Sequence, residues 1–111
     1  MKNGLYRLQI DTPLGTGAGV VVLDDGKRLG GDSSVAYIGN YQQDGTAFIA
    51  SVDASPHTNI AGILNVFGAP NAKATSLSLS GIVFGDEVRM TGTSRYRPGI
   101  TLQATFRLLA T

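Results

Sequence analysis

The sequence predicts an all-β domain, eight antiparallel strands in an up-and-down meander that curls into a barrel or half-barrel. Three observations predict it. Apolar and polar residues alternate with period two over most of the chain, as strands with one buried face require. The turn dipeptides Asp25-Gly26, Asp44-Gly45, Gly85-Asp86 and Pro98-Gly99 interrupt that alternation at short spacing. Fifteen of the 111 residues are glycine, and Gly17, Gly19, Gly39, Gly81 and Gly92 fall inside the alternating segments, where they weaken a flat sheet and permit sharp coiling. A meander of this length loses its exposed edges by closing on itself. A two-sheet sandwich is the runner-up.

The first strand, near 4–10, sets Tyr6, Leu8 and Ile10 on one face against Arg7 and Gln9. The second, 15–24, begins rich in glycine and ends in an aliphatic run. Asp25-Gly26 then suits a type I′ turn, which needs positive φ at both central residues. A short third strand at 27–31 precedes a fourth at 34–42, where Val35, Tyr37, Gly39 and Tyr41 share a face. The fifth, 46–55, aligns Phe48, Ala50, Val52 and Ala54 after the Asp44-Gly45 turn. In the sixth, 75–84, Leu77, Leu79, Gly81 and Val83 face away from Ser76, Ser78 and Ser80. The seventh spans 87–95. In the eighth, 100–109, Leu102, Ala104, Phe106 and Leu108 oppose Thr101, Gln103, Thr105 and Arg107.

One connection, between the fifth and sixth strands, is long and apolar. Ile60, Ile63, Leu64 and Phe67 stand at helical spacing, with Thr58 as a cap and Gly68 and Pro70 as a stop. Gly62 and Asn65 lower helix propensity, so an irregular loop competes. In either form the apolar side needs cover, at one mouth of the barrel or in a subunit interface. No linker or long repeat divides the chain, so residues 1–111 read as one domain.

Composition removes several kinds of chemistry. A net charge of +1 with 15% charged residues gives no basic excess for nucleic acid or an anionic membrane. The absence of cysteine excludes disulfides, thiol nucleophiles and thiolate metal sites, and a single histidine limits imidazole chemistry. The first residues, MKNGLYRLQIDTPLG, lack the apolar stretch of a signal peptide, and no run approaches the roughly 18 apolar residues of a membrane helix. A cytoplasmic location is the default expectation.

The individual candidates read as structural. The run Gly15-Thr16-Gly17-Ala18-Gly19 has Val20 where a dinucleotide fingerprint needs its third glycine, and a strand follows instead of a helix. His57 has nominal partners in Ser33, Ser55, Asp32 and Asp53, none in a nucleophile-elbow context. Asp24, Asp25, Asp86 and Glu87 fit turn chemistry. Arg89, Arg95, Arg97 and Arg107, with Tyr96 between two of them, form a weak basic footprint, better explained as outward residues on edge strands. Neither catalytic, cofactor-binding nor metal-ligating residues are expected. The small inward residues Gly39, Ala50, Ala54, Gly81 and Ala104 fit either a hollow holding an apolar ligand or an interior filled by Tyr37, Phe48 and Phe106.

The segment Leu29-Gly30-Gly31-Asp32-Ser33-Ser34-Val35-Ala36-Tyr37-Ile38-Gly39 resembles the G-G-D-x-x-x-x-Y-x-G core of the GrlR-like family of small bacterial regulators. Asn3-Gly4-Leu5-Tyr6, the glycine-rich second strand and Leu79-Ser80-Gly81 agree in order. The resemblance implies a lipocalin-like barrel without enzymatic activity, usually a homodimer. One family member represses type III secretion genes by sequestering a transcriptional activator, using an acidic run in the hairpin between the fourth and fifth strands. The matching residues here are Gln42, Gln43, Asp44 and Gly45, with a single carboxylate, and one carboxylate steers a basic partner less than four would. Physically, Gly30-Gly31 reads as a reversal or bulge, Asp32 as a bond to turn amides, and Gly39 as room for a ring beside Tyr37. The expectation is a protein-binding regulator with a homodimer or partner interface at the hairpin or at Ile60, Ile63, Leu64 and Phe67. A carrier of a small apolar ligand is the alternative, and an enzyme using His57 the third reading.

Overall fold

A computed structural model describes residues 1–13, 15–32, 35–57, 75–94 and 97–111. The strands are β1 (Gly4–Thr12), β2 (Gly15–Asp24), β3 (Lys27–Gly31), β4 (Val35–Asp44), β5 (Ala47–Pro56), β6 (Thr75–Phe84), β7 (Glu87–Ser94) and β8 (Arg97–Ala110). Each pairs antiparallel with the next, and β8 returns to β1. The result is a closed up-and-down barrel of the lipocalin-like kind, neither a half-barrel nor a sandwich. The apolar connector carrying Ile60, Ile63, Leu64 and Phe67 lies outside the described residues.

Period two decides which side chains enter the barrel. Tyr6, Leu8, Ile10, Phe48, Ala50, Val52, Ala54, Leu77, Leu79, Leu102, Ala104 and Phe106 are all buried, as their alternation requires. Eight strands leave an interior about wide enough for side chains alone, and register fits large residues against small ones. Leu8 lies opposite Gly19, Phe48 opposite Gly81 and Leu79 opposite Gly92. Phe48 stacks on Tyr41 at 5.2 Å and meets the edge of Phe106 at 6.2 Å.

Three turn assignments change. Asp25 and Gly26 have φ of 47° and 87°, as a type I′ turn requires. The next hairpin is shifted by one residue: Asp44 pairs with Ala47, so Gly45 and Thr46 form the loop, and the positive φ of 61° falls on its first residue alone, as in type II′. Gly30 and Gly31 make no reversal. Both are the last residues of β3, neither has a positive φ, and the chain turns after them. Gly30 is required because a Cβ there would collide with the Val20 carbonyl oxygen of the neighbouring strand. Pro98 and Gly99 belong to β8, at the register shift after the Thr93–Thr101 pair, instead of forming a turn.

Candidate functional site

The inward row of β3 holds a cation. Arg28 pairs in register with Leu23 on β2 and with Gly39 on β4, and so points where Leu23 points. Its side chain is 1% exposed, and its guanidinium carbon lies 4.9 Å from the centroid of the Phe106 ring. The atoms Nε and Nη1 are buried without a hydrogen-bond partner. Burial lowers its pKa to about 10, opposed by the neighbouring Tyr37, so the group is cationic at neutral pH. Arg28 was not among the sequence candidates. Gly39, which faces Arg28 and Val52 across the sheet, opens no room for a ring as the sequence suggested: a Cβ there would collide with the Ser51 carbonyl oxygen, so the glycine serves close approach of β4 and β5.

The family-like motif builds the adjoining corner. The Asp32 amide donates to the Val35 carbonyl at 2.9 Å, and Asp32 Oδ1 accepts from the Val35 amide at 2.8 Å. This is the local capping expected of an aspartate in a turn. Asp32 Oδ2 accepts from the Tyr37 hydroxyl at 2.8 Å, and Asp32's carbonyl lies 3.0 Å from Nε2 of His57. Burial first, then the bond to Asp32 and its charge, raise the pKa of Tyr37, and Arg28 pulls it down. Asp32, Tyr37 and His57 thus meet, but His57 binds backbone, the structural role weighed against catalysis. Among the described residues no cluster of three or more His, Asp or Glu could hold a metal ion.

The hairpin proposed for partner contact is exposed at Gln42, Gln43, Asp44 and Gly45. Gln43 is tied to its own chain: its amide donates to the Gly45 carbonyl at 2.9 Å, and its Oε1 accepts from the Met1 amino group. No acidic cluster forms there. Of the basic footprint, Arg89 pairs with Glu87 at 3.6 Å and lies over the Phe84 ring, while Arg95 and Tyr96 lie outside the described residues. In a closed barrel no strand is an edge, so the edge-guarding role for Arg89 and Arg107 falls away.

The outer wall carries apolar surface that strand alternation obscured. Val22 pairs with Leu29, and Leu29 with Ile38, giving a cross-strand row over β2, β3 and β4 whose members are 42%, 54% and 54% exposed. A second group, Ile49, Ile82 and Phe84, lies on β5 and β6 beside a depression of about 330 Å³ that Arg89, Thr91 and Gln103 also line. No helix among the described residues is long and apolar enough to cross a membrane. No protein-family model matches the chain, and a search of curated proteins returns no match.

Proposed function

We propose that this chain is a non-enzymatic, cytoplasmic regulator of the GrlR-like kind, acting through protein contacts on the outside of its barrel. The observation that carries the reading is the row Val22, Leu29 and Ile38. Solvated sheet faces are normally polar, and a contiguous apolar strip on three adjacent strands marks an association surface. Its first occupant is a second copy of the chain, since a self-complementary patch on a small protein favours a twofold dimer. The hairpin at residues 42–45 then offers the contact to a second, different protein. Sedimentation velocity tests the dimer: the wild type sediments as two copies at micromolar concentration, and Leu29→Glu as one. A wild type that stays monomeric at all concentrations, with an unchanged transcript profile on deletion, overturns the proposal.

A second reading, in which the barrel holds a small molecule, is favoured by a different observation, the buried Nε and Nη1 of Arg28 without a hydrogen-bond partner.

A further inference from the structure

We infer that the outer wall of β7, β8 and β1 binds an acidic, partly apolar segment of a partner protein, with Arg7 and Arg107 as its anchors. This face lies beside the row Val22, Leu29 and Ile38 and shares no residue with that row or with the hairpin at 42–45. It begins from a conflict of charge in the sheet. Arg7 on β1 stands directly opposite Arg107 on β8, and both are exposed. Among the described residues no other cross-strand pair sets like charges opposite each other. Like charges so placed destabilise a sheet, because their Cβ atoms stand only about 4.5–5.5 Å apart. Guarding an edge does not account for them in a closed barrel. A local rule broken without gain to the fold is the mark of a functional site.

The chain does not neutralise the pair itself. Register places Glu87 on the other side of Arg107, but the Glu87 carboxylate pairs with Arg89 at 3.6 Å. Arg7 donates from Nη2 to the neutral Gln9 Oε1 at 2.9 Å. Arg107 has neither a hydrogen bond nor an ion pair among the described residues. Asp11, the next carboxylate on this wall, is four residues along β1 from Arg7, about 13 Å in a strand. It accepts instead from Gln9 and, at 3.0 Å, from the Thr16 hydroxyl. Around the pair, three arginines therefore meet one carboxylate.

The surroundings define what would cover them. A guanidinium offers a planar fork of donors that fits a carboxylate in two parallel hydrogen bonds. The positive field is short, bracketed by Glu87 and Asp11. It suits one or two carboxylates better than a nucleic-acid duplex, which carries one negative charge per about 1.7 Å. Beside the arginines stand two exposed apolar residues. Val20 lies opposite Arg7 and is 44% exposed, and Leu109, two residues past Arg107, is 54% exposed. A segment that places apolar side chains next to its carboxylates covers both kinds of surface at once.

Fluorescence anisotropy of the full chain with a labelled peptide of alternating glutamate and leucine tests this. A lysine–leucine peptide and a short oligothymidylate are the comparisons. The wild type should bind the glutamate–leucine peptide roughly tenfold or more tighter than either. Arg7→Gln and Arg107→Gln should each weaken that binding several-fold, and together by roughly tenfold or more, as losing hydrogen bonds to charged groups implies. Lys27→Gln, an equal loss of charge on β3, should leave it unchanged. Arg7→Glu should abolish binding while raising the urea midpoint, because a repulsion with Arg107 becomes an attraction; an unfolded variant could not do both. Leu29→Glu should bind as the wild type does, so a chain that fails to dimerise and still binds the peptide overturns the dimer and leaves this face intact. Equal binding of the two peptides, or equal losses in Lys27→Gln and Arg7→Gln, overturns the proposal. Tighter binding of the oligothymidylate overturns the class of partner, and a lowered midpoint in Arg7→Glu overturns the charge conflict it starts from.

Discussion

Tyr37 and Asp32 show how much one hydrogen bond at the barrel corner determines. The phenol is buried, donates to a carboxylate and is held neutral well above its ordinary value of 10. Above pH 10 the unfolded chain releases this proton while the folded chain keeps it. The folded state then binds more protons, so its stability falls as pH rises, by up to about 1.4 kcal/mol per pH unit from this group. Tyr37→Phe should remove that part of the alkaline slope. It should also cost on the order of 1–3 kcal/mol at neutral pH, because Asp32 loses a donor to a charged acceptor. Urea midpoints between pH 7 and 11.5 measure both, and equal alkaline slopes in the two proteins would exclude a buried neutral phenol. The turn role of Asp32 was legible in sequence, because short-range aspartate capping is local chemistry. The acceptance from Tyr37 was not, since it depends on the next strand curling back over the corner. Arg28 was legible only through register. A two-residue turn at Asp25-Gly26 places Leu23 opposite Arg28, so both share a face. Leu29 beside it has the composition of a core residue and is 54% exposed instead.

At the scale of elements, strand positions follow from alternation almost residue by residue, while the duties of glycine do not. Period two reports only which face a residue occupies. It does not distinguish a glycine that turns the chain from one that lets two backbones approach. Gly30 looked like the first kind and is the second. Gly81 on β6 is also of the second kind: it faces Met90 across the sheet, and a Cβ built there would run into the Arg89 carbonyl oxygen. A strand glycine in open space gains stability on becoming alanine, because the unfolded chain loses freedom. Gly81→Ala should instead lower the unfolding free energy by about 1–3 kcal/mol, the usual cost of forcing extra volume into a packed interior. Denaturant unfolding reads the sign directly. A neutral or stabilised variant would mean that β6 and β7 are free to part at this point.

At the scale of the molecule, closure determines what kinds of association remain. With β8 paired to β1 over residues 103–110, every strand has two neighbours, and among the described residues only strand ends, such as 15–19 of β2, lack a partner on one side. Outward side chains therefore offer the larger surface to a partner, and six of the eight exposed large apolar residues fall in two groups, Val22, Leu29 and Ile38, and Ile49, Ile82 and Phe84, with Val20 and Leu109 outside them. A domain of this size has little stability to spare, so association should be visible in its unfolding. If two copies pair through the first group, mass action makes the melting temperature depend on protein concentration. A hundredfold rise in concentration should then lift it by several degrees, roughly what 1–3 kcal/mol of linked binding gives a domain of about 100 residues. Leu29→Glu should abolish the dependence, because a carboxylate at the centre of the row cannot be buried without a partner. Phe84→Glu should leave it intact, since that residue lies on the other apolar group. Differential scanning calorimetry of the three proteins distinguishes the surfaces: a dependence lost only in Phe84→Glu would move the dimer to β5 and β6, and no dependence in the wild type would remove the dimer altogether.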